Sequence, residues 1–126
     1  MNVLIVEDNA QMRLLIRDLV SDLASEVWEL DDGAGACAAY AEHRPDWVLM
    51  DLRMQQVDGF EATRQITERF PDARVVIVTE CRDDEMREQA RVAGARAYVV
   101  KDDLMELRLC LLVWQVCTNH CINLFW

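Results

Sequence analysis

Five times along this chain a short, nearly continuous apolar run is followed by a longer stretch with apolar residues at helical spacing. The runs are Asn2 to Val6, Glu26 to Leu30, "DWVLMD" around Trp47, Arg74 to Thr79 and Ala97 to Lys101. Between them, Gln11 to Leu23 carries Met12, Leu15, Ile16, Leu19, Val20 and Leu23 on one helical stripe. Further helices are predicted over about 34–42, stopped before Pro45, and about 59–69, ending at Pro71. Two more are predicted over 84–92, with Gly94 as its stop, and over about 103–116.

Strands of near-continuous apolar character, separated by helices, indicate a parallel sheet covered on both faces. An alternating apolar and polar pattern would mark a sheet with one wet face, and these strands lack it. The chain has 126 residues, 52% of them apolar, enough for one sizeable core. No linker, repeat or low-complexity segment interrupts it, so one domain over 1–126 is expected, with its core in about 1–116. In open parallel sheets, ligands bind beyond the carboxyl ends of the strands.

The net charge of −10 argues against direct binding of nucleic acid, whose phosphates would be repelled, and favours cations or basic partners. Five cysteines at irregular spacing and no signal peptide before "NVLIVED" predict reduced thiols in a cytoplasmic protein. Cys117, His120 and Cys121 lie close together but have no second ligand cluster at zinc-like spacing.

The predicted strand ends are chemically unlike their interiors. Strand one ends in Glu7 and Asp8, strand three in Asp51, strand four in Thr79 and strand five in Lys101. Strand two ends near Asp31 and Asp32, with no obvious counterpart in this set. Gathered at one edge, three carboxylates repel each other unless one takes up a proton or a cation joins them. Such a set, with open positions, suits Mg²⁺. A carboxylate nucleophile, Mg²⁺, an ammonium and a hydroxyl donor together are what phosphoryl transfer to an aspartate needs. Singly, each residue has a plainer reading as a helix cap, a β-former or a helix-start ion pair. The conjunction on four strand ends points to the chemistry.

With those residues in that order, the sequence resembles the response-regulator receiver domains of two-component signalling. The resemblance covers residues 1 to about 116 and rests on the acids of "LIVED", the "VLMDLRM…VDG" block, "VVIVT" and "GARAYVVK". It implies a flavodoxin-like (βα)5 doubly wound sheet of order 2-1-3-4-5, with Asp51 as phosphoacceptor and Glu7 and Asp8 as the metal pair. It further implies that the Arg53 backbone carbonyl completes the Mg²⁺ site. Thr79 becomes the switch hydroxyl, Lys101 the phosphoryl-binding cation and Tyr98 the switch aromatic. The implied donor is a sensor histidine kinase or phosphotransfer protein. The implied output is a change in the face formed by helix four, strand five and helix five.

Three features depart from the family pattern. Gln55 stands where proline is usual, and Glu80 where the residue after the switch hydroxyl is usually small. The segment Leu107 to Trp126 has no charge after Arg108 and is apolar around nearly its whole circumference. A helix apolar all round seeks burial on both sides, so a homodimer or a docked partner is expected through this face. A cut before a following domain and simple burial of the tail are the alternatives. A membrane span is not expected, because the stretch is short and holds Gln115, Asn119, His120 and Asn123. Two other functions compete with the phosphorylated switch. One is a receiver-like interaction module that is never phosphorylated. The other is an aspartyl-phosphate phosphohydrolase, against which Arg53 counts, since it stands where such an enzyme needs a second acid.

Overall fold

The computed structural model describes residues 1–54 and 56–116. Five strands form one parallel sheet: β1 (Asn2–Val6), β2 (Glu26–Leu30), β3 (Trp47–Met50), β4 (Val75–Thr79) and β5 (Ala97–Val100). Their order is β2-β1-β3-β4-β5. The helices are α1 (Ala10–Val20), α2 (Ala36–His43), α3 (Gly59–Arg69), α4 (Asp84–Val92) and α5 (Leu104–Val116). This is the flavodoxin-like order, with the strand order reversing between β1 and β3.

The apolar runs are continuous because successive residues enter two different cores. Val3, Ile5, Trp47, Leu49, Val76, Val78 and Val99 pack against Ile16 and Val20 of α1 and Leu107, Cys110 and Leu111 of α5. Leu4, Val6, Val48, Met50, Val75 and Ile77 face Tyr40 of α2, Ala62 and Ile66 of α3 and Ala90 of α4. Each fully buried Val, Leu or Ile contributes about 1.5–3 kcal/mol relative to exposure, so both faces are strongly specified. Edge strand β2 is different: Glu26 and Glu29 are exposed, and Arg13 and Arg17 of α1 pair with Glu29. Charge on an edge strand discourages pairing with another chain.

Local chemistry sets the helix ends, and it moves some of the expected boundaries. Helix α1 starts one residue early because Asn9 caps it, accepting from the Met12 amide at 2.9 Å. It stops at Val20, short of Leu23. The amides of Leu23 and Ala24 turn back to the Val20 carbonyl, while Leu23 still packs on the core. The expected helix from Ala34 begins instead as a 3-10 turn over Gly33–Gly35 capped by Asp32, and becomes α-helical only at Ala36. Two glycines disfavour the longer helix. Arg44 closes α2 in the left-handed region at φ 46°, just before Pro45. The α3 and α4 boundaries fall where the sequence places them.

Helix α5 follows a 3-10 turn over Lys101–Asp103 and buries Leu107, Cys110 and Leu111 on the sheet. Its outer side exposes Met105, Leu109, Val113 and Val116, an apolar stripe in line with the sequence reading. Cys117, His120, Cys121 and the rest of the segment 117–126 lie outside the described residues, as does Gln55. Among the described residues no helix is long and apolar enough to cross a membrane.

Candidate functional site

The parallel strands deliver Glu7, Asp8, Asp51, Thr79 and Lys101 to one crevice of about 200 Å³, which Asn9, Arg53 and Glu80 also line. Register explains the meeting. Val6 of β1 lies opposite Met50 of β3, so the residues that follow them are neighbours, and the Asp51 amide donates to the Val6 carbonyl at 2.9 Å.

Asp51 is 5% exposed, Glu7 1% and Thr79 2%. Lys101 Nζ stands 2.8 Å from Glu7 Oε1 and 3.2 Å from Asp51 Oδ1, with its side chain 10% exposed. The Asn9 amide donates to Glu7 Oε2 at 3.2 Å. Arg13 Nη1 donates to the Glu7 backbone carbonyl at 2.8 Å, which fixes the β1–α1 turn from below. Asp8 is exposed, yet carboxylate oxygens of Glu7, Asp8 and Asp51 lie within 4.8 Å of one another.

One ammonium does not balance this much buried acid. Burial pushes the Glu7 carboxyl up to about 7, with the Asp51 charge adding to it and Lys101 and the Asn9 amide pulling the other way. Burial also raises Asp51, against the opposing pull of Lys101. Burial alone would lower Lys101, but its contacts with Glu7 and Asp51 outweigh that and leave it raised. The crevice therefore favours more positive charge, as a proton or a cation. Oxygen donors converging with one side open to solvent fit a hard divalent ion such as Mg²⁺.

The loop after Asp51 is held from two sides. Gly59 opens α3 directly behind Asp51: a Cβ there would lie 2.1 Å from the Asp51 carbonyl oxygen and 2.8 Å from Leu52 Cα. Only glycine permits that approach, and its amide bonds the Leu52 carbonyl at 2.9 Å. Asp58 caps the helix through the Glu61 amide at 2.9 Å. This accounts physically for the "VDG" triplet. On the other side, Asp32 beyond β2 accepts from the Gln56 amide at 2.9 Å and the Val57 amide at 3.4 Å. Sequence reasoning left Asp32 without a role. It tethers the loop from 24 residues away, a pairing that no local pattern signals.

Thr79 Oγ1 accepts from the Cys81 amide at 3.3 Å. Tyr98 lies on the face of β5 turned toward α4, and its hydroxyl donates to the Cys81 carbonyl at 2.7 Å. Burial is the main cause that pushes the Tyr98 phenol up to about 12. Exposed Glu80 lines the mouth of the crevice. A neighbouring cavity of about 520 Å³ shares Asp8, Arg53 and Thr79 with it and is walled by Leu52, Met54, Phe60, Cys81 and Met86.

The model for response regulator receiver domains matches residues 3–111. The chain belongs to the response regulator receiver family. This receiver is 38% identical over 100 residues to the chemotaxis protein CheY of Bacillus subtilis, covering 79% of this chain and 83% of that protein. Its fold superposes on a two-component response regulator of the LuxR family from Aurantimonas, with a TM-score of 0.83 and 29% identity. That match covers 97% of this chain and 89% of the other. It also superposes on CheY in a complex with CheX, BeF3 and Mg²⁺ from Borrelia burgdorferi. There the TM-score is 0.78 at 24% identity, over 93% of this chain and 89% of the other. Receiver domains are signalling modules of two-component response regulators rather than ordinary enzymes.

Proposed function

We propose that this receiver is a phosphoryl-accepting switch in which Asp51 takes the phosphoryl group from a phosphohistidine of a sensor kinase or phosphotransfer protein. The observation that carries the reading is the setting of Asp51. It is a nearly buried carboxylate at a strand end, 3.2 Å from Lys101 Nζ, with the Thr79 hydroxyl and the carboxylates of Glu7 and Asp8 in the same crevice. In the transfer, an Asp51 carboxylate oxygen forms the new bond to phosphorus. The phosphorus–nitrogen bond breaks, and the imidazole leaves with the electron pair and takes up a proton. Lys101 holds negative charge on the transferring group, and Thr79 donates its hydroxyl proton to a phosphoryl oxygen.

Glu7, Asp8, Asp51 and the Arg53 backbone carbonyl would hold Mg²⁺, whose charge would offset that of the phosphoryl oxygens. The raised Glu7 and Asp51 support this assignment, since both groups favour added positive charge. In the signalling step, Thr79 and Tyr98 pass the local charge change to the face made by α4, β5 and α5. The exposed stripe Met105, Leu109, Val113 and Val116 suits that face to a partner or a second copy of the chain. A cytoplasmic setting and a single domain over 1–126 complete the reading.

Intact-mass measurement with Mg²⁺ and phosphoramidate tests it: wild type gains one phosphoryl group and Asp51→Asn gains none. A wild type that never gains that mass with any donor would make the chain an unphosphorylated interaction module. Turnover of a broad panel of phosphate esters would instead favour a phosphohydrolase.

A further inference from the structure

Cys81 is engaged at both ends of its backbone. Its amide donates to Thr79 Oγ1 at 3.3 Å, and its carbonyl accepts from the Tyr98 hydroxyl at 2.7 Å. Over the Tyr98 ring lies the Arg87 guanidinium, with Cζ 4.7 Å from the ring centroid. Three contacts in series thus run from the wall of the acid crevice to the middle of α4.

Each link can transmit a change. Thr79 uses an oxygen lone pair toward Cys81, which leaves its proton available to an anion in the crevice. A hydroxyl that donates becomes a stronger acceptor, so an anion on that proton tightens the bond from Cys81. The Cys81 carbonyl in turn fixes the Tyr98 hydroxyl, and with it the ring plane that Arg87 covers. Arg87 is half-buried and makes no ion pair among the described residues, in contrast to Arg82 and Arg91 near it, which pair with Asp102 and Glu88. Tyr98 is 3% exposed, and an arginine over a largely desolvated ring is held more firmly than one over a wet ring.

We infer that Arg87 is a positioning residue that couples helix α4 to the acid crevice, so that its contact with Tyr98 and the binding of a tetrahedral anion at Asp51 stabilise one another. The inference rests on the receiver reading given above and adds the residue through which α4 feels the site. Coupling of this kind is reciprocal: whatever draws Arg87 away, such as an acidic partner group on α4, weakens anion binding by the same factor.

The test uses beryllofluoride with Mg²⁺ as the tetrahedral probe. Arg87→Met keeps the stem and removes the charge, whereas Arg87→Lys keeps a cation. Tyr98 is followed by its ring resonances in a Tyr40→Phe background, which leaves it the sole tyrosine, since the chain has two. In Arg87→Met the Tyr98 ring resonances shift without ligand, and beryllofluoride binds about 2–5-fold more weakly. Arg87→Lys recovers much of that loss. Equal affinity in wild type and Arg87→Met overturns the coupling. A loss that Arg87→Lys shares in full also overturns it, since packing alone then accounts for both. A wild type that binds no beryllofluoride overturns the receiver reading itself, and the coupling with it.

Discussion

The two ends of the same sheet are built on opposite principles. At the amino end, Trp47 is 1% exposed and meets Trp114 edge to face, with ring centroids 6.0 Å apart. Arg74 lies over the Trp114 ring and Arg44 over Phe70, which itself tilts against Tyr40. At the carboxyl end the same strands bury Glu7, Asp51 and Thr79 around Lys101. Strand β3 has both ends in four residues, Trp47 at one and Asp51 just past the other. The amino end gains from dispersion and burial. The carboxyl end holds charge at a cost, and that cost leaves it receptive to a cation. The distance matters in practice: four residues of strand span roughly 13 Å, so Trp47 emission reports on the amino end rather than on Asp51.

The largest expected effect breaks the amino end. Trp47→Ala should cost about 3–5 kcal/mol in urea unfolding, since it empties a packed site shared with Trp114. Mg²⁺ binding should persist in whatever fraction stays folded.

Gly59→Ala comes next and strikes the carboxyl end through its backbone. A methyl group 2.1 Å from the Asp51 carbonyl must displace the loop, at about 1–3 kcal/mol, and should also weaken Mg²⁺ binding seen by thermal shift. Unchanged Mg²⁺ affinity would separate the helix start from the site.

The third prediction concerns pH. Glu7 binds its proton more tightly folded, at about 7, than unfolded, at 4.5. The folded state therefore holds more protons across that window, and metal-free stability must fall as pH rises through it. Urea unfolding from pH 5 to 8 should show this decline, and Glu7→Gln should flatten it. Tyr98, pushed up to about 12, stays protonated throughout and adds nothing there.

The smallest effect belongs to the exposed pair of Arg82 and Asp102, which links the loops after β4 and β5. Asp102→Ala should change stability by less than about 1 kcal/mol, because both groups are well solvated.

The strands were legible because burial on both faces leaves no other apolar pattern, and α3 and α4 because Pro71 and Gly94 mark where they stop. The site was legible for a related reason: a parallel sheet turns every strand end toward one edge, so five separate residues could be grouped without knowing a single distance. Helix α1 was read too long because Leu23, half-buried in the turn beyond it, packs against the same core, and core packing by itself cannot distinguish helix from turn. The bond of Asp32 to the loop after Asp51, and the approach of Arg87 to Tyr98, were not legible. Both join side chains to distant elements, and only the assembled fold brings them together.

Lys101 also bears on how fast the site can respond. By standing within 3.2 Å of both Glu7 and Asp51, it holds the two acidic side chains at close quarters. Contacts within the chain itself already gather these oxygens, so a cation that enters would have little to reorganise. A cation bound there would displace a proton from a scaffold that is already assembled.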